Sequence, residues 1–183
     1  MILFLNLQNG PYKRTSNSLW KYAPLESDLI KIFLDDTPEA ESLPRARVIE
    51  YLASIKRDLA IRYLEHLIND LQEMDPTFHD RLISLYLDEA SDVSVKEDQQ
   101  KQIREKMVKF LEQSDQYMPE RVLAKLSHSM TLQNRLIVDE LFLPERAVVL
   151  SKMGQHKNAL EIYVFKLKDY PKAEEYLPIP LKI

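Results

Sequence analysis

Residues Pro144 to Lys168 read PERAVVLSKMGQHKNALEIYVFKLK, and this stretch decides the fold class. Pro144 sits where a helix opens, because its missing N–H costs nothing in a first turn. Ala147, Leu150 and Ser151 then recur on one face at helical spacing. Gly154 stands where a helix end wants a residue of positive φ. His156 starts a second helix, with Leu160, Tyr163, Val164 and Leu167 in register at i, i+3, i+4 and i+7. The pattern is a helical hairpin. Small Ala147, Gly154 and Ala159 let its two antiparallel helices approach closely, and bulky Leu150, Leu160 and Tyr163 fill the layer towards neighbours.

The same spacing recurs upstream. Leu25, Leu29, Ile32 and Phe33 form one stripe, with Pro24 near its start. Val48, Tyr51, Leu52 and Ile55 form the next, behind Ser42 and Pro44. Ala60, Tyr63, Leu64, Leu67, Ile68 and Leu71 extend a third stripe over three turns, and Pro76 stops it near Met74. Phe78, Leu82, Leu85 and Tyr86 mark another helix, and Ile103, Met107, Phe110 and Leu111 the one after. Polar Asp88 to Lys101 between them reads as a surface loop fraying into the following helix. Pro119 opens a short helix carrying Val122, Leu123 and Leu126. Ser127 to Asp139 fits a short helix or a buried turn through Leu132, Leu136, Ile137 and Val138.

Composition agrees. The chain has 183 residues and only two glycines, where average usage near 7% gives roughly thirteen. Sheets and phosphate loops need glycine for primed turns and close backbone approach. Gly10 and Gly154 build neither a G-x-G-x-x-G loop nor a P-loop, and no serine has the flanking glycines of a nucleophile elbow. An all-α fold follows. Cysteine is absent, which excludes disulfides, thiolate metal sites and cysteine nucleophiles. Lys plus Arg is 25 against 29 acids, a net charge of −4, and that balance argues against a nucleic-acid-binding domain.

The four histidines, His66, His79, His128 and His156, lack paired metal-ligand spacing and read as helix caps or surface residues. Asp35-Asp36, Glu39-Glu41 and Glu174-Glu175 read as solvated turns or polar faces rather than acid–base pairs. Lys101, Arg104, Lys106 and Lys109 alternate with Glu97, Asp98, Glu105 and Glu112, the mixed signs of a solvated helix face. A lipid-headgroup patch requires basic residues without those acids. Tyr51, Tyr63, Tyr86 and Tyr163 lie on apolar stripes and are expected to pack between helices. Trp20 and Tyr117 lie near loops and are the expected surface candidates for protein binding. Lys152, Lys157, Asn158 and Lys166 are the residues expected to converge if the last hairpin holds a peptide carboxylate. No catalytic residue, metal ligand or cofactor is expected.

Met1 to Leu7 (MILFLNL) is apolar but far shorter than a membrane span of about 20 residues. No basic region precedes it and no cleavage site follows, so it reads as the end of an element begun earlier, or as a short buried segment. Asn9 to Ser18 reads as a loop. The expected organisation is an N-terminal segment over 1–18, a helical repeat domain over 19–176 and an irregular proline-rich tail over 177–183. A helical bundle gives the same stripes. Helices recurring as pairs favour an α-solenoid of stacked antiparallel hairpins.

Glu145 to Tyr176 (ERAVVLSKMGQHKNALEIYVFKLKDYPKAEEY) resembles the clathrin-heavy-chain-type repeat of vacuolar sorting tether subunits, specifically the vacuolar sorting protein thirty-nine family. Asp36 to Leu52, Leu59 to Asn69 (LAIRYLEHLIN), Phe78 to Tyr86 (FHDRLISLY), Met107 to Glu112 and Tyr117 to Leu123 match that family in the same order. The resemblance implies a non-catalytic subunit of the HOPS tethering complex in endosome-to-vacuole or lysosome traffic. It implies other core vacuolar sorting tether subunits as partners, and a cytoplasmic location, peripheral on vacuole, lysosome and late-endosome membranes through the complex. Members have an N-terminal β-propeller and continue after AEEY with a cysteine and further helices. Here Leu177 follows, so the chain reads as a fragment or short gene product holding the middle helical region, and contact with a Rab GTPase is expected only through regions absent here. The paralogous CORVET subunit, which resembles transforming-growth-factor receptor-associated protein, shares the Tyr63-Leu64-Glu65-His66 block and the final repeat. The remaining alternative is a tetratricopeptide-like adaptor reading short peptides in its groove.

Overall fold

In the computed structural model, residues 26–34, 43–129 and 142–175 are described. Trp20, the N-terminal segment, Leu25, Leu132 to Val138 and the tail over 177–183 lie outside them. All regular structure among the described residues is helical. It falls into two compact units, divided between Glu73 and Met74.

The first unit holds α1 (Glu26–Leu34), α2 (Arg45–Ile55) and α3 (Arg57–Asn69). A single extended residue, Lys56 at φ −158°, separates α2 from α3, and its N–H still donates to the Leu52 carbonyl at 2.9 Å. The two helices therefore pack as a hairpin, with α1 laid on α3. Val48, Leu52, Leu59, Leu64 and Leu67 fill the space between them. Phe33 of α1 meets Tyr63 edge-on, with ring centroids 6.3 Å apart, and Tyr51 at 6.4 Å. The Arg45 guanidinium pairs with the Glu73 carboxylate, tying the start of α2 to the chain beyond α3.

Two expectations fail here. Ile30, not Ile32, is buried, because the face that α1 turns to α3 runs Leu29, Ile30 and Phe33. The third stripe also stops short of Leu71. Helix α3 ends at Asn69, Gln72 turns left-handed at φ 54°, and the Glu73 N–H closes back on Leu67 O at 2.9 Å. Local backbone ends this helix well before Pro76 does.

The second unit opens with α4 (Pro76–Ala90), capped by Asp75, whose Oδ1 accepts from the Thr77 N–H at 2.8 Å. Next come α5 (Glu97–Gln113) and α6 (Pro119–Ser129). The expected loop from Asp88 to Lys101 is shorter in the structure, spanning only 91–96. Leu87 and Ala90 are buried and prolong α4, while Glu97 and Asp98 place carboxylates against the positive end of α5. Then follow α7 (Leu143–Lys152), α8 (His156–Glu161), a π-helical segment (Ile162–Leu167) and α9 (Tyr170–Glu175).

Helix α7 is the centre of this unit. It packs against α5, α6, α8 and the π segment, so Leu143, Ala147, Val148, Val149 and Leu150 are all buried. Gly154 has φ +73°, as expected of the residue that ends α7. Its N–H donates to Ser151 O and that of Gln155 to Leu150 O, both at 2.9 Å, closing a Schellman turn. No atom crowds the position where its Cβ would stand, so the left-handed backbone alone selects glycine there. Gly154→Val is expected to cost about 1–2 kcal/mol in a circular dichroism melt. An unchanged midpoint removes Gly154 from this role.

The second helix of that hairpin departs from expectation. A single α-helix was expected through Leu167, but α-geometry ends at Glu161 and wider π turns carry the chain to Leu167. Lys168 then turns left-handed at φ 55°, and the Asp169 N–H donates to Tyr163 O at 2.9 Å. Tyr163 stays buried with Ala147 and Ala173, flanked by half-buried Leu160, Val164 and Leu167.

Candidate protein-docking groove

Three walls, all within the second unit, enclose a groove of about 440 Å³. Leu123 and Ser127 of α6 form one wall, one helical turn apart, and Arg146 and Leu150 of α7 form the floor with the same spacing. The third wall is one face of α8 and the π segment, where Asn158, Glu161, Ile162, Phe165 and Lys166 recur at i, i+3, i+4, i+7 and i+8. Phe165 is 73% exposed. The opposite face of this helix, through Tyr163, fills the core. Ile162 both borders the groove and packs against that core, so apolar Phe165, off the core stripe, was the available sequence signal for the groove.

The residues singled out from sequence distribute differently. Asn158 and Lys166 do line the groove, together with Arg146. Lys157 is exposed on α8 outside the lining. Lys152 is turned away from it altogether. Its Nζ donates to Ser114 O and to Asp115 Oδ1, each at 2.6 Å, and lies 5.6 Å from the centroid of the Tyr117 ring. Tyr117 corrects the surface expectation, being only 5% exposed, with its hydroxyl donating to Leu111 O at 3.0 Å. Burial pushes that phenol well above its usual range. These residues pin the α5–α6 turn onto the end of α7.

Lys152 therefore holds the fold at this point. Lys152→Met is expected to cost about 1–2 kcal/mol, since the carbonyl of Ser114 loses a charged donor. Asp115→Ala should leave the midpoint nearly unchanged, because its carboxylate is largely in water. Urea titrations of both variants decide between them, and equal losses would contradict this division of labour.

His79 also departs from the surface expectation. It is buried beneath Phe110, its Nδ1 lies 2.8 Å from Ser114 Oγ, and desolvation lowers its pKa. His66 pairs with Asp70 at 2.7 Å, and His156 is exposed at the first position of α8. Among the described residues no three of His, Asp and Glu stand together as metal ligands.

Glu145 was not foreseen. It sits in the first turn of α7 and is 1% exposed. Desolvation raises its pKa from the usual 4.5 to about 7, against the opposing pull of its own backbone N–H and of Arg104 on α5. Its Oε2 finds no hydrogen-bond donor among the described residues. Arg104 is correspondingly half-buried rather than part of a solvated face.

Paired helices enclosing an apolar groove with a charged rim define an all-α protein built around inter-helix packing. The comparisons agree on one lineage. The chain is 35% identical to the Vam6/Vps39-like protein of Homo sapiens, over 88% of this chain and 19% of that protein. It is 31% identical to the vacuolar protein sorting-associated protein 39 homolog of Drosophila melanogaster, over 80% and 16%. A transforming growth factor-beta receptor-associated protein 1 homolog from Danio rerio is 33% identical over 70% and 14%. No family model matches the chain, and no solved structure does. The chain belongs to the Vam6/Vps39 family, whose members are named for vacuolar protein sorting and vacuolar morphogenesis. It spans about a fifth of the length of the curated relatives it matches.

Proposed function

We propose that the chain is a non-catalytic scaffold segment of a HOPS-type membrane-tethering complex, acting in endosome-to-vacuole or lysosome transport. The observation that carries this reading is the match to Vam6/Vps39-like proteins over 88% of the chain. Its helices support it. Hairpins such as α2–α3 and α4–α5 are units suited to stacking into a solenoid with protein-binding faces. No helix among the described residues is long and apolar enough to cross a membrane, so attachment to vacuole or late endosome runs through the complex in this reading.

Partners in this reading are other core vacuolar sorting subunits, with a Rab GTPase reached only through other regions of a complete subunit. The second reading, a CORVET-type tether, draws on the match to the receptor-associated protein over 70% of the chain. Affinity purification of the tagged 183-residue chain from cytosol separates the two. Recovery of core HOPS subunits is expected. Recovery of CORVET components alone moves the assignment to the paralogue, and recovery of neither overturns the tether reading.

A further inference from the structure

We draw no further inference here: the strongest candidate, the groove between α6, α7 and the π segment, is lined by apolar side chains that include exposed Phe165, and nothing in the structure shows what covers it.

Discussion

Replacing Glu145 by glutamine will flatten the dependence of stability on pH. In the fold this carboxyl is enclosed by the packing around α7, and its pKa stands near 7 instead of 4.5. A carboxyl whose pKa is raised by folding binds its proton more tightly in the native state. Its stabilising contribution is whole below about pH 4.5 and is lost as pH rises through 7, where the buried group must ionise. Across about pH 5 to 8 the shift corresponds to a loss of about 2–3 kcal/mol. Urea denaturation at steps across that range should show wild type weakening by this amount. Glu145→Gln, matched in shape and unable to ionise, should remove the slope even if its amide lowers stability uniformly. A slope that survives in the variant would place the titration elsewhere.

The second large effect separates two leucines that the sequence pattern treats alike. Leu64 and Leu71 stand on one stripe, seven residues apart, yet Leu64 is 0% exposed and Leu71 is 40% exposed. Leu64→Ala should cost about 2–5 kcal/mol, the sum of lost transfer energy and the cavity left between α2 and α3. Leu71→Ala should stay within about 0.5 kcal/mol. Denaturation midpoints with unchanged urea slopes measure both. A loss above about 1 kcal/mol at Leu71 would mean that the chain past α3 packs more tightly than described.

That pair also shows where legibility in the sequence ended. Apolar period placed Tyr63, Leu64 and Leu67 on a buried face because burial of one helix face is what selects the period. It could not place the end of α3, which depends on one left-handed residue, Gln72, of a type that carries no turn signal. Gly154 was legible for the opposite reason, since glycine is the residue that such a backbone selects. Glu145 was hidden because α7 is packed on several sides, and a helix so enclosed has no polar face to which a carboxylate can be assigned. Tyr117 and Lys152 were misplaced as surface residues because partners 35 residues apart, or a carbonyl in a distant turn, cannot be read from local spacing. Asn158 and Lys166 line the groove, but the set expected to converge also held Lys152 and Lys157, which lie outside its lining. Arg146 and Phe165 entered only when three separate helices were seen to converge.

The π segment from Ile162 to Leu167 has a bearing on how this region tolerates insertion and deletion. A π turn holds one residue more than an α turn, so the segment is an α-helix carrying a surplus residue. Loss of a single codon there would let the chain relax to ordinary α geometry without opening a gap in its hydrogen bonding. Six π residues and five α residues turn through nearly the same angle, so the residues beyond the deletion would keep their facing around the helix axis. Ala173 would keep its place beside Ala147 and Tyr163, and the change would be confined to the turn itself. The same deletion within α7, which has no surplus residue, would instead turn every following residue by about 100° and unseat the buried face of that helix.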